Sequence, residues 1–501
     1  MFNLVNFTPR EYQSSILETC KNNNTLVVLP TGTGKTAIAL LLGIERLNKF
    51  QNSKILVLSP TKPLSQQHVN TFKQHTDLPQ DKIILLTGLI KPEQRKELVE
   101  DALVIVATPQ TIEKDLENSR IGLRDFSLLV IDEAHRSRLN FANTHVTKAY
   151  FEQSLNPRIL ALTASPGGTL DRIKEIMKNL NLEAVEIRSE TDKDVKQYIQ
   201  KREIEWIEVN LQHELLRLHS KIKNIYLNKA KELLRLGFNK PTHLINKKDL
   251  IQMQAVLRNN LNKGDKSAYY GISLTAQLIK IDYMMELLEI QGLRVLSKFL
   301  DKLKLDESKA AKNILNNKEF QDIIHLTTDL IKNGLEHPKF SKLLEIVKNE
   351  INLNKSIKIM VFANYRDTVD NILKLFKENN IKTVKLIGQK SGLTQKQQIL
   401  TIKTFEENDD NVLIATSIGE EGIDIKGANL VIFYEAVPSE IRKIQRAGRV
   451  ARLQAGKIIF LITKNTRDEA YFWSGYQKEK RMKTALYNLK DKNIEEFLKD
   501  G

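Results

Sequence analysis

The sequence predicts an α/β protein with two parallel-sheet lobes and an all-helical insertion between them. Three observations carry that prediction. Short apolar runs alternate with amphipathic stretches of helical length in the first two hundred residues and again from Pro338, as in parallel sheets covered by helices. From Leu211 to Asp329 the strand-like runs vanish and apolar residues recur at helical spacing, as Leu211, Leu215, Leu218, Ile222 and Ile225 do. No Gly/Ser linker, low-complexity tract or internal repeat interrupts the chain. Three regions are expected to follow one another directly: 1–203, 204–335 and 336–501.

The first region offers strands at Thr25–Leu29, Ile55–Leu58, Ile83–Leu86, Leu103–Val106, Leu128–Ile131 and Ile159–Leu162. Several run straight into polar motifs: LPTGTGKT, LSPTKP, VATPQT, VIDEAH and LTASP. In open α/β sheets, ligands bind beyond the carboxyl ends of the strands, where all of these motifs fall. The insertion is unevenly charged, with 13 Lys and Arg against 4 Asp and Glu in 211–280, then 7 against 9 in 281–330. The last region offers strands at Ile359–Phe362, Thr383–Ile387, Val412–Ala415, Leu430–Tyr434 and Ile458–Ile462, and a charged helical tail from Lys478.

Composition narrows the function classes. The 501 residues are 41% hydrophobic and 28% charged, with a formal net charge of +16, an excess that suits a polyanionic partner, nucleic acid above all, or else a solvated lysine surface. The single thiol, Cys20, excludes an intramolecular disulfide, a four-cysteine zinc site and an iron–sulfur cluster. No apolar run reaches the roughly 18 residues of a membrane span, and MFNLVNFTPREYQ has no signal-peptide core. An intracellular, DNA-associated protein is expected.

PTGTGKT (Thr31, Gly32, Thr33, Gly34, Lys35 and Thr36 after Pro30) follows a strand and opens a helix. The N–H groups of such a loop cradle phosphates; Lys35 meets the β and γ phosphates, and the Thr36 hydroxyl binds Mg²⁺. Leu29 stands where the full pattern has a small residue. In VIDEAH, Asp132 is placed to hold the Mg²⁺ of a bound ATP and Glu133 to polarise an attacking water. His135 reads equally as a link between hydrolysis and motion or as a hydrogen-bonded structural histidine. Upstream, Arg10 and Gln13 are candidates for the adenine edge, since an amide can make paired hydrogen bonds there.

On these motifs the chain resembles superfamily 2 helicases, with two RecA-like lobes. The resemblance implies that Ser59, Pro60, Thr61 and Lys62, Thr87 and Gly88, and Thr108, Pro109 and Gln110 grip one nucleic-acid strand by its phosphates. Hydroxyls and helix N-terminal N–H groups at strand ends suit that task, although Thr-Pro pairs also serve as plain helix caps. It implies that LTASP (Leu162–Pro166) couples hydrolysis to strand binding. In the second lobe it rests on VFANYRDT, IATSIGEEGIDI and QRAGRVAR. Arg449 and Arg452, three apart on one helix face, then act as fingers on the γ-phosphate, a device worth roughly 10³–10⁵ in turnover in related enzymes. Gly422, Asp424 and Gln445 are assigned to nucleotide, and Asn364, Arg366, Gly388, Gln389 and Thr416 to nucleic acid. Ala451 replaces the usual glycine, a small residue for a small residue.

IGQKSGLTQKQQ, YEAVPSEIRKIQR and TRDEAYFWSGYQKEKRM are similar to archaeal Hef and, more distantly, to the FANCM translocases. This implies a thumb-like insertion that binds forked and four-way-junction DNA, 3′ to 5′ travel, and ATP and Mg²⁺ as cofactors. Lys247, Lys248 and Arg258, with Lys263, are the insertion's candidate DNA contacts, or else its solvated face. No ERKxxxD nuclease signature occurs, so the helicase part is expected without the XPF-type nuclease, and a nuclease or sliding clamp is the expected class of protein partner. The alternatives are a RIG-I-like duplex-RNA translocase and an inactive nucleic-acid-binding scaffold.

Overall fold

The structure, a computed structural model, describes residues 1–490 apart from 89, 140, 168, 199–202, 388–394, 408–410, 417–427 and 437–455. Two parallel sheets organise the described chain. The first runs in the order β3-β4-β2-β5-β6-β1-β7, from β1 (Thr25–Val28), β2 (Lys54–Leu58), β3 (Ile83–Leu86), β4 (Val104–Ala107), β5 (Phe126–Asp132), β6 (Ile159–Thr163) and β7 (Ala184–Ile187). These strands are apolar over most of their length because helices cover both faces, with Lys54 and Asp132 at strand ends and Glu186 within β7. Leu56, Ile105 and Leu129 enter one core, and Val57, Val106 and Val130 the other.

Strand register brings the motifs together. Asp132 at the end of β5 pairs with Leu162 of β6, and Thr163 pairs with Val28 of β1. The phosphate loop, the acidic pair and the LTASP segment therefore leave the carboxyl ends of three adjacent strands.

The second sheet runs β10-β11-β9-β12-β13-β8, with β9 (Ile359–Phe362), β10 (Thr383–Leu386), β11 (Val412–Ala415), β12 (Leu430–Phe433), β13 (Lys457–Thr463) and β8 (Glu203–Val209). Here the expected boundary needs correction. Residues 204–209 were read as the start of an all-helical insertion, yet β8 lies parallel to β13 as an edge strand of the second lobe. Its sequence EIEWIEV mixes glutamate with apolar residues on both faces, and only Val209 is buried, as an exposed edge strand allows.

The insertion proper is six helices, His213–Arg235, Lys247–Asn262, Ala268–Ile290, Leu293–Lys304, Lys309–Leu315 and Lys318–Lys332, around a core that includes Leu218, Ile222, Leu278, Ile281 and Phe320. Helix Ala268–Ile290 buries residues on nearly every side, as a central helix must.

Helix Arg467–Lys490 ties the three regions together. At its start Arg467 donates to Asp282 of the insertion at 2.8 Å. Further along, Phe472 enters the core of the second lobe. At its far end Met482, Leu486 and Leu489, spaced i, i+4 and i+7, complete the core of the first lobe. The charged tail expected from Lys478 is thus helical as far as Lys490, and one stripe of that part is buried. Among the described residues no helix is long and apolar enough to cross a membrane.

Candidate active site

The loop after β1 turns through two residues that only glycine occupies without strain. Gly32 has φ +84° and Gly34 φ +81°, in the left-handed region that disfavours a Cβ. Gly34 caps helix Lys35–Lys49, so the loop N–H groups converge at a helix N-terminus. Thr33 Oγ1 donates to Pro30 C=O at 2.6 Å and Lys35 Nζ to Leu29 C=O at 3.2 Å. Thr31 and Thr36 stay partly accessible at the loop rim.

Gln13 belongs to this loop. Its Nε2 donates to Thr33 C=O at 3.3 Å, its Oε1 accepts from Arg10 N–H at 3.0 Å, and the Tyr12 hydroxyl donates to the same Thr33 carbonyl. A Cβ on Gly34 would sit 2.7 Å from Gln13 Nε2. Arg10 lies over the Tyr198 ring at 4.6 Å. Gln13 and Tyr12 are thus both tied to the phosphate loop through one carbonyl.

Asp132 accepts from His68 Nε2 at 2.9 Å and from Glu133 N–H at 2.9 Å. Burial pushes its carboxyl up, but the His68 hydrogen bond and charge, Lys35 and the Glu133 N–H outweigh burial and hold it below the usual carboxylate range. It stays ionised, which is the form a cation requires. His68 was not singled out in the sequence. It is a lone histidine in helix Lys62–His75, and only the fold places it against the carboxylate.

Glu133 takes a left-handed backbone, φ +52°, rare for a residue with a side chain and common at functional turns. Its Oε2 lies 3.2 Å from His135 Nδ1. His135 Nδ1 is also 3.3 Å from Thr163 Oγ1, and that hydroxyl accepts from Ser165 N–H at 3.1 Å. His135 is thus buried and hydrogen-bonded, as the structural reading expects, and it lies between Glu133 and the LTASP segment.

The loops assigned to strand binding share the same sheet edge. Thr61 precedes helix Lys62–His75 but makes no capping bond, and the Ser59 and Thr61 hydroxyls are buried without a hydrogen-bond partner. Thr108 precedes helix Pro109–Glu117 and bonds the Thr111 hydroxyl at 2.9 Å rather than a cap N–H. Plain capping does not account for these side chains. Pro60 is partly exposed, Lys62 and Gln110 are exposed, and Pro109 is buried as the first residue of its helix. Thr87 is buried beside exposed Gly88.

Gly88, Lys91, Gln110, Thr111, Lys114 and Arg120 line one cleft of about 620 Å³. The buried Arg95–Asp115 pair, 2.5 Å apart, holds its two walling helices together. Sequence reasoning named Gly88 and Gln110 and missed the three cations between them. Nothing in their local sequence separates them from other surface Lys and Arg.

In the second lobe, Asn364 N–H donates to Glu435 Oε2 at 2.9 Å. Arg366 is exposed at the start of helix Arg366–Glu378 and Thr416 is buried at the end of β11. Gly388, Gln389, Gly422, Asp424, Gln445, Arg449 and Arg452 lie outside the described residues. In the insertion, Lys247, Lys248, Arg258 and Lys263 are all exposed. They belong to helix Lys247–Asn262 and its C-cap, and Leu250 is the one fully buried residue of that helix.

The DEAD/DEAH box helicase family matches residues 10–173, the helicase conserved C-terminal domain residues 338–454, and the helical bundle of ATP-dependent RNA helicases residues 214–333. The Pyrococcus furiosus Hef helicase domain superposes with a TM-score of 0.74 at 40% identity, over 93% of this chain and 98% of that one. A Methanocaldococcus jannaschii protein named as an ATP-dependent RNA helicase is 41% identical across 96% of this chain and 61% of its own length. The Schizosaccharomyces pombe ATP-dependent DNA helicase fml1 is 32% identical across 97% of this chain and 60% of its own. The chain thus spans less than two thirds of these curated relatives. Sharing 40% of its residues with the Hef helicase domain across almost all of that domain, this chain belongs to the same family, the superfamily 2 DEAD/DEAH-box helicases of the Hef and FANCM type.

Proposed function

We propose that the chain is an ATP-driven DNA motor that acts on forked and four-way-junction DNA in the repair or restart of stalled replication forks. The observation that carries the DNA-structure reading is helix Lys247–Asn262. It buries only Leu250 and presents Lys247, Lys248 and Arg258 to solvent, on an insertion whose first half is strongly basic. Phosphate neutralisation by such a surface makes binding fall steeply with salt.

In this reading the loop around Gly32 and Gly34 holds the ATP phosphates, Lys35 meets their charge, and Gln13 with Arg10 selects adenine. Thr36 and ionised Asp132 are the oxygen donors for Mg²⁺, which supplies charge neutralisation to the phosphates when bound. The donor set fits: a hydroxyl, and a carboxylate kept charged by His68. Glu133 takes the proton of the attacking water. Arg449 and Arg452 complete the site from the second lobe, making turnover depend on cleft closure.

The one-carbonyl link from Gln13 to the loop and the His135–Thr163 link to LTASP tie base recognition and strand grip to the same phosphates. The strand runs past Thr61, the Gly88–Gln110 cleft and Thr108 to Asn364, Arg366 and Thr416. A protein that does this work is intracellular, with a nuclease or sliding clamp as the class of partner.

The test is ATP turnover without nucleic acid and with linear duplex, forked and four-way-junction DNA and duplex RNA at one fixed salt. The DNA reading expects the forked and junction substrates to stimulate most. RNA helicase names among the relatives supply the second reading, a duplex-RNA translocase. Equal or greater stimulation by RNA would establish it and remove the fork assignment.

A further inference from the structure

The chain has only two tryptophans, and both are half-exposed: Trp206 at 52% and Trp473 at 48%. They meet in one patch. Trp206 projects from β8 against Phe472, ring centroids 6.2 Å apart; Phe472 lies 5.3 Å from Trp473, and Trp473 lies 6.0 Å from Tyr476. Ile204 and Tyr476 add further exposed apolar surface. Beneath them an aromatic row, Phe460, Phe433 and Phe362, continues into the core of the second lobe. A contiguous Trp/Tyr surface on a rigid support is the composition of an interaction hot spot, not of an idle exterior.

The same strand has an open edge. Glu203 N–H donates to Gly456 C=O and Lys464 N–H to Val209 C=O, so the odd-numbered residues of β8 bond β13. In a parallel ladder the even-numbered ones, Ile204, Trp206 and Glu208, then turn their N–H and C=O outward. No described strand pairs with that side. Backbone donors and acceptors therefore face outward beside the aromatic side chains.

Charge selects the occupant. β8 carries Glu203, Glu205 and Glu208 and no cation. Lys457 answers Glu205 at 3.0 Å and Glu350 at 3.6 Å, and Lys464 answers Glu208 at 2.9 Å. Four carboxylates thus face two cations, and the edge stays net acidic on a chain whose net charge is +16. Nucleic acid is repelled from this edge. A second copy would bring a second net-acidic edge against the first.

We propose that β8 and the Trp206–Trp473 patch form a docking site for an extended segment of another protein, basic and apolar at alternate positions, which adds to the sheet as a seventh strand. Main-chain pairing supplies the affinity, and the aromatic patch and glutamates supply the specificity.

The tryptophans report on their own patch. A phage-displayed library of short peptides is selected on the full chain, and synthetic winners are titrated while intrinsic fluorescence is followed. Alternating Lys/Arg and apolar sequences are expected to be enriched, with a blue shift in emission on binding. Glu203→Lys and Trp206→Lys each weaken binding about tenfold or more. Glu208→Pro removes an outward N–H and the ion pair to Lys464 but no backbone bond to β13 and weakens it more than Glu208→Gln, which keeps the N–H; N-methylation of alternate peptide amides weakens it likewise. Nucleic-acid-stimulated ATP turnover stays unchanged in all of these variants, which shows them folded.

Enrichment of acidic or pattern-free peptides, equal binding to the Trp206→Lys variant, or indifference to N-methylation would overturn the proposal. So would an emission shift produced by duplex DNA, or a concentration-dependent dimer that Trp206→Lys abolishes, since these assign the patch to nucleic acid or to a second copy.

Discussion

At the scale of the residue, the site depends on a few side chains held by unlike neighbours. Asp132 is ionised because His68, Lys35 and a backbone N–H outweigh its burial. Asp132→Asn is expected to lower ATP turnover by about 10² or more in steady-state assays while the protein stays folded, because a neutral amide no longer balances the cation charge. His68→Ala leaves that carboxylate without its orienting donor. A loss of roughly tenfold in turnover follows, and a His68→Gln variant that retains an N–H donor should recover part of it. Gly34→Ala forces a Cβ into a left-handed turn against Gln13. We expect the KM for ATP to rise about tenfold, with nucleic-acid affinity in the absence of ATP unchanged.

At the scale of the element, the junction between the insertion and the second lobe buries a group of charges. Lys339 and Asp468 are both fully buried and 2.5 Å apart. Lys339 Nζ also donates to Tyr434 C=O at 2.8 Å, and Asp468 accepts from Ala436 and Thr463 N–H. Removing either partner strands the other charge, so Lys339→Met and Asp468→Asn are each expected to cost about 3–5 kcal/mol in urea unfolding.

Beside them His337 donates to Glu289 C=O at 3.0 Å. Burial, with Lys339 adding to it, pushes its pKa down to about 3. The unfolded histidine takes up a proton near pH 6.5 and the folded one does not. Its contribution is therefore complete above about pH 6.5 and is lost progressively as the pH falls toward 3. Unfolding midpoints across that window should fall less steeply for a His337→Gln variant.

The elements also show what the sequence made legible. Central strands such as LLVID and ILALT announce themselves because burial on both faces demands nearly unbroken apolar residues. β8 escaped because an edge strand needs only half of that, and its glutamates disguised it. β7 escaped because Glu186 interrupts AVEI, its carboxylate buried through Thr19 and Arg188. The phosphate loop and acidic pair were readable from spacing alone. The cations of the Gly88–Gln110 cleft and the His68 contact were not, since only tertiary folding separates them from ordinary surface and helix residues.

At the scale of the whole molecule, salt dependence reads the insertion. Reversing Lys247 and Lys248 together to glutamate should reduce the slope of log K against log salt for forked DNA by about 2, with basal ATP turnover unchanged. An unaltered slope would return those lysines to the solvated face.

Helix Arg467–Lys490 has a further consequence. With 24 residues it is about 36 Å long. Arg467 is pinned at one end to the insertion, while Met482, Leu486 and Leu489 are embedded at the other in the first lobe, where Met482 Sδ meets Ser165 Oγ at 3.0 Å. Pulling those three side chains out would cost on the order of 5–8 kcal/mol at roughly 1.5–3 kcal/mol each. The two lobes thus share one rod, seated in the core of each, and separating them would mean drawing those three side chains out of the first lobe, so the helix is a tether that limits how far the lobes can part.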